Sequence, residues 1–360
     1  MGGCSVMIDP LTQNYPVVLY LKNSQNTVRS QLTLQQSLAA CIIAAMQAPQ
    51  PLIIAIVGPT AVGKTAFSLD LAQALNGEIV SVDSRLVYRG MDIGTAKPTP
   101  AEQALVKHHL IDVVNPDQEY SLATYQAAAY AAIAQIQQQA KQPILVGGTG
   151  QYMAALLEGW SIPEVAPNYE LRARYEQQAA SEGHAALHQQ LQTIDPEAAK
   201  AIDPTNVRRV IRALEVFHET GQPISQLQQR NPPHYRILTL DLERPRDELY
   251  ARIDQRVDLM MREGLIAEVW ALIRQGYGWE LPSMSGLGYA EFRPLWQGQQ
   301  SAGACISQLK FNTHRFARKQ GAWFRRLPKR VSLDARHTDL LAQVQELLAM
   351  PEHAPIHTDH

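Results

Sequence analysis

Little in this chain suggests covalent or metal cross-linking. Its three cysteines, Cys4, Cys41 and Cys305, show no C-x-x-C spacing, which excludes a zinc ribbon or disulfide framework and suits a reducing cytoplasm. No apolar run approaches the roughly 20 residues that cross a bilayer, so no membrane partner is expected. Net charge is only −2 at pH 7. A local absence says more. Between Phe292 and Leu333 there is no acidic residue, yet nine cations occur: Arg293, Lys310, Arg315, Arg318, Lys319, Arg325, Arg326, Lys329 and Arg330. Of these, Arg315, Arg318, Lys319, Arg325 and Arg326 follow i, i+3, i+4, i+10, i+11 spacing and would share one helical face. Such a stripe suits a phosphodiester backbone. A solvated basic face balanced by Asp254, Asp258 or Glu263 explains it equally well.

What is present most clearly is Gly58-Pro59-Thr60-Ala61-Val62-Gly63-Lys64-Thr65, a complete G-x-x-x-x-G-K-[ST] loop. It follows the buried-strand pattern Leu52 to Val57 and precedes a helix with Phe67, Leu71 and Leu75 on one face. The loop's backbone N–H groups converge on a phosphate, Lys64 adds a point charge, and the Thr65 hydroxyl can hold Mg²⁺. A phosphate or diphosphate site is therefore expected.

Further along, Glu78 to Val82 reads as a second strand ending in Asp83-Ser84, Ser121 to Ala140 as a helix, and Pro143 to Val146 as a strand entering the turn Gly147-Gly148-Thr149. Arg236 to Leu240 returns as another strand, and His108-His109 precede a strand-like Leu110 to Val113. Alternating strands and helices imply an α/β fold, a P-loop-type doubly wound parallel sheet with ligands at the carboxyl ends of its strands. With 360 residues and 46% hydrophobic composition, the expected organisation has four parts. Residues 51–163 and 234–340 form the catalytic core, 164–233 a charged, Gln-rich helical insertion, 1–50 an N-terminal extension and 351–360 a loose tail. Met46 is the expected true start of translation.

Three constellations bear on chemistry. Asp83, at a strand end, reads either as an acid organising Mg²⁺ or as a general base, with an Asx turn or helix cap as the plain alternative. The strand ending at Val146 carries no carboxylate, which weakens an ordinary ATPase reading. Arg252 and Arg256, and likewise Arg208 and Arg212, are four apart; the first pair could clamp a diphosphate, and both could instead be surface ion pairs.

Several stretches together carry a resemblance: Gly58 to Thr65, Ser81 to Tyr88, Met91 to Pro98, Leu145 to Tyr152 and Arg212 to Val216. The chain resembles the tRNA dimethylallyltransferases over about Pro51 to Leu327. The resemblance implies transfer of a dimethylallyl group from dimethylallyl diphosphate to N6 of adenosine 37 in the tRNA anticodon stem-loop, by a cytoplasmic, Mg²⁺-using monomer. A P-loop kinase using ATP is the competing expectation. It further implies that Gly58, Pro59, Thr60, Ala61, Val62, Gly63, Lys64 and Thr65 bind the diphosphate, with Thr65 on the metal and Arg252 and Arg256 assisting. Asp83, Lys64 and Thr60 would be the catalytic set, Asp83 as general base. Contacts to tRNA are implied for Asp83, Ser84, Arg85 and Leu86, for Thr149 and Arg172, and for Arg208, Arg209, Val210, Ile211 and Arg212. They are also implied for Thr313, His314, Arg315, Phe316, Ala317, Arg318, Lys319 and Gln320. This chain has Ser285 and Ala290 where some relatives carry arginines, while Gly286, Gly288 and Tyr289 would shape the base pocket.

Overall fold

The computed structural model describes residues 51–327 and 329–350; the expectations for 1–50, with Met46, and for 351–360 lie outside them. Six strands form one sheet: β1 (Leu52–Val57), β2 (Gly77–Ser81), β3 (His108–His109), β4 (Gln142–Val146), β5 (Arg236–Glu243) and β6 (Arg330–Asp334). Their order is β3-β2-β4-β1-β5-β6 and every pairing is parallel. The chain leaves β1 toward β2 on one side, and leaves β4 toward β5 on the other. The neighbours β1 and β4 thus form a topological switch point, where a crevice opens beyond the strand ends.

The apolar alternation of β1 sorts its residues between two layers. Ile54 and Ile56 pack with Leu71 of helix Lys64–Ala74 and Leu348 of helix Leu340–Ala349. Ile53, Ala55 and Val57 face the other way, toward Tyr125 and Ile133 of helix Leu122–Gln138. A strand buried on both faces needs this unbroken apolar run.

Two expectations change. The strand on the β3 edge is the histidine pair itself, and Leu110 to Val113 is not a strand because Leu110 (φ 63°) and Asp112 (φ 55°) are left-handed. His109 Nε2 lies 2.6 Å from the buried Glu78, which Lys141 also contacts at 2.6 Å, so this histidine is structural. The basic helix spans Ala302–Phe324. Arg325 is its C-cap and Arg326 lies beyond, so the cationic stripe is shorter than the spacing suggested.

Residues 169–227 form a helical unit with its own core, including Leu187, Leu191, Val210, Ile211 and Leu214. One buried carboxylate ties it together. Glu215 accepts from the Asn168 amide at 2.8 Å, from Arg172 Nε and Nη2 at 2.8 and 2.9 Å, and from Arg212 Nη1 at 2.6 Å. These cations hold Glu215 ionised, below its ordinary range, against the burial that would raise it. Removing it strands two half-buried guanidiniums and an amide. We expect Glu215→Ala to destabilise the insertion by about 2–4 kcal/mol in urea unfolding; a loss below about 1 kcal/mol would contradict this role.

Candidate active site

The parallel register brings three strand ends together. Val57↔Asp241, Ile56↔Val146 and Ser81↔Val146 are paired, so the segments after β1, β2 and β4 emerge side by side. The approach is close. A Cβ on Gly147 would stand 1.9 Å from the Val82 carbonyl oxygen, so only glycine lets β4 leave the sheet against β2. Beyond these ends lies a cavity of about 520 Å³. Thr60, Lys64, Thr65, Asp83, Ser84, Arg85, Leu86 and Thr149 line it from the sheet side. Arg256 lines it from helix Arg246–Glu263, and Thr313, Phe316, Lys319 and Gln320 from the basic helix.

Lys64 Nζ donates to the carbonyls of Gly58 and Pro59, both at 2.8 Å, folding its ammonium back over its own loop. Burial, reinforced by Arg256 and only partly opposed by Asp83 and Asp241, lowers its pKa to about 7. The cavity thus holds a cation with too little negative charge around it. An anion is the natural complement.

Asp83 has the opposite problem. Burial raises its carboxyl above the ordinary range, against the Arg85 amide (2.8 Å to Oδ1), Lys64 and the Arg85 side chain. The Asx-type bond to Arg85 shows that the plain turn reading holds too, and the same carboxylate still faces the cavity. Thr149 Oγ1 accepts from the Ser84 amide at 3.1 Å and fixes the turn that carries Asp83.

Thr65 lines the cavity, and its hydroxyl has no protein hydrogen-bond partner among the described residues. No group of three or more His, Cys, Asp or Glu side chains among them could hold a metal alone. The donor set fits Mg²⁺ that takes one protein hydroxyl and completes its shell with diphosphate oxygens and water.

Other expected site residues are placed differently. Arg252 does not reach the cavity; its Nε donates to the Ala61 carbonyl at 2.8 Å and braces the loop from behind. Asp254 lies 2.9 Å from His314, whose ring stacks on Tyr250 at 4.1 Å. Lys310 pairs with Asp258 at 2.7 Å, and Arg318 Nη1 donates to the Tyr250 hydroxyl at 3.0 Å. The acid-free run is therefore partly neutralised by helix Arg246–Glu263. Arg315, Lys319, Arg325 and Arg326 are exposed with no ion-pair partner among the described residues. Arg208 and Arg209 are also exposed, whereas Arg172 and Arg212 are bound to Glu215. Val210, Ile211 and Ala317 are corrected as contact residues: at 1%, 4% and 2% exposure they are core side chains that orient their helices.

The segment 285–290 has a role that its residue types did not disclose. Arg85 Nη1 donates to the carbonyls of Pro282 (2.5 Å) and Ser283 (3.2 Å), and Nη2 to the Ser285 hydroxyl at 3.3 Å. Ser285, Gly286 and Gly288 line the cavity, and Ala290 does not. Glu268 was not legible at all. It accepts from the amides of Asp92 (3.0 Å), Ile93 (2.8 Å) and Gly94 (3.0 Å) and from the Tyr289 hydroxyl (2.7 Å), clamping the turn whose Gly94 and Thr95 form one wall. No local pattern marks an acid that works across about 175 residues of chain.

The family model for IPP transferase matches residues 86–327. The chain belongs to the IPP transferase family. It is 58% identical over 296 residues to a tRNA dimethylallyltransferase of Roseiflexus sp. (strain RS-1), covering 82% of this chain and 97% of that one. A tRNA dimethylallyltransferase of Chloroflexus aggregans is 58% identical over 276 residues, 77% and 93% of the two chains. Among solved structures, the tRNA isopentenylpyrophosphate transferase of Bacillus halodurans superposes with TM-score 0.63 at 40% identity, covering 84% and 96%. A eukaryotic dimethylallyltransferase acting on tRNA gives TM-score 0.69 at 27% identity, covering 83% and 78%.

Within this IPP transferase the lowered Lys64 pKa makes a signed prediction. Between about pH 7 and 10 the unfolded chain binds more protons than the empty fold, so the Lys64 contribution to stability rises with pH across that window. Pyrophosphate beside the ammonium restores its charge. Binding above pH 7 should therefore take up to one proton, and affinity should fall as pH rises. Calorimetry in buffers of different ionisation enthalpy checks this; the same uptake in Lys64→Met would assign it to another group.

Proposed function

We propose that this chain transfers a dimethylallyl group from dimethylallyl diphosphate to N6 of adenosine 37 in the anticodon loop of tRNA, releasing diphosphate. One observation carries the proposal: a phosphate loop and a half-buried carboxylate with raised pKa face the same cavity, beneath a helix with uncompensated cations. The relatives named above and the family membership support the reaction class.

In this mechanism the loop amides, Lys64 and Arg256 hold the donor diphosphate, and Thr65 would hold Mg²⁺. Bound Mg²⁺ offsets the negative charge that grows on the diphosphate as the allylic C–O bond lengthens. Lys64 carries the same task from the protein side, its charge restored by the anion. Adenine must leave the stacked loop to reach the donor carbon. Asp83 accepts a proton from N6 as the amine becomes cationic, and its raised pKa makes it a stronger base than an ordinary aspartate. Arg315, Lys319 and the exposed Arg208 and Arg209 meet tRNA phosphates. We infer a cytoplasmic monomer.

The deciding test is mass spectrometry of nucleosides from tRNA incubated with the protein and dimethylallyl diphosphate; N6-dimethylallyladenosine at position 37 is expected. Phosphate transfer from ATP without prenylation would reject the proposal. Asp83→Asn should lower kcat by about 10²-fold or more with tRNA binding intact. Because protonation disables Asp83, the acid limb of kcat/KM should lie above the ordinary carboxylate range and vanish in the variant. Lys319→Ala should weaken tRNA binding and reduce the slope of log K against log salt by about 1, read from binding isotherms at several salt concentrations.

A further inference from the structure

Gln320 stands on the basic helix between exposed Lys319 and half-exposed Gly321, yet is itself only 5% exposed. Its carboxamide crosses the cavity's edge and spans two strand ends. Oε1 accepts from the Thr60 amide at 2.9 Å, and Nε2 donates to the Gly148 carbonyl at 2.9 Å. Chemistry fixes the orientation, because an amide N–H only donates and a carbonyl only accepts.

Each contact has a counterpart that makes room for it. A Cβ on Gly148 would sit 2.3 Å from Gln320 Nε2, so glycine there admits the carboxamide. One turn on, Trp323 lies against Gly150, where a Cβ would meet its indole at 2.5 Å. The helix is seated on the turn 147–150 at both points. On the loop side, Lys64 takes the carbonyls of Gly58 and Pro59, and Arg252 takes that of Ala61. Thr60 N–H is left for Gln320.

We infer that Gln320 is a positioning residue for the phosphate loop and not a tRNA contact. It locks Thr60 to the end of β4 and joins the helix that presents Arg315 and Lys319 to the loop that grips the diphosphate. RNA seating and donor geometry then share one rigid connection. The inference rests on the proposed transfer for its kinetic readout only.

The test compares wild type with Gln320→Leu, which keeps the volume and removes both hydrogen bonds, and Gln320→Glu, whose ionised carboxylate can accept from Thr60 but cannot donate to Gly148. Three quantities are measured: pyrophosphate affinity by calorimetry, tRNA affinity without donor, and steady-state kcat and KM. In Gln320→Leu we expect tRNA affinity within about 2-fold of wild type, pyrophosphate affinity at least about 10-fold weaker, and kcat/KM for the donor down by about 10²-fold, as for a misplacement of order 1 Å. Gln320→Glu should bind pyrophosphate no better than Gln320→Leu, because its carboxylate meets the Gly148 carbonyl and brings negative charge beside Lys64. Should Gln320→Leu fail to fold, Gly148→Ala displaces the carboxamide from the opposite side and should give the same pattern. Lost tRNA affinity with pyrophosphate binding intact would overturn the inference, as would wild-type pyrophosphate affinity in Gln320→Leu. Because pyrophosphate binding needs no turnover, an inactive wild type would count against the proposed reaction and leave the Gln320 inference to be decided by affinity alone.

Discussion

The site depends on one electrostatic constraint, a half-buried lysine at the start of a helix without a carboxylate in salt-bridge range among the described residues. Lys64 is held by two carbonyl oxygens of its own loop, a weak substitute for an anion, and its pKa of about 7 reflects that. Other groups are arranged around this deficit. Arg256 deepens it, while Asp83 and Asp241 relieve it only partly. Asp241, near the end of β5, is engaged by Arg330 at 2.8 Å. With that carboxylate occupied, the cavity stays short of negative charge until a ligand brings it.

The loop keeps its shape because side chains from three separate helices hold its outward-facing polar groups. Lys64 comes from the helix that the loop itself opens, Arg252 from helix Arg246–Glu263, and Gln320 from the basic helix. None of the three spends its polar atoms on a surface ion pair. The partly neutralised half of the basic run follows the same division of labour. Lys310 and His314 hold the helix against Asp258 and Asp254, which fixes where the unneutralised Arg315 and Lys319 point. Pairs of this kind add little stability at a surface. Their effect here is geometric.

How far the sequence could be read follows from range. Strands β1, β2, β4 and β5 were legible because each is an apolar run between turn residues, and the loop Gly58 to Thr65 because its signal is contiguous. Edge strand β3 was misread: Leu110 to Val113 has strand-like residues, but positive φ at Leu110 and Asp112 is set by tertiary contacts that no residue type announces. Glu268 was illegible as a site residue, and Gln320 was expected as a tRNA contact and not as a brace of the loop, for a related reason. Their partners lie about 175 and 260 residues away, and a glutamine on a basic helix looks like one more polar surface position.

The helical insertion shows the same limit from the other side. For Arg172 and Arg212 the resemblance implies tRNA contacts, yet each makes its shortest bonds to Glu215. A buried carboxylate needs that compensation, and two guanidiniums with three donated bonds, together with the Asn168 amide, provide it. Arg208 and Arg209, one to two turns nearer the start of the same helix, are exposed and pair with no carboxylate among the described residues. Cation placement, more than cation number, therefore decides which arginines hold the fold and which stay exposed.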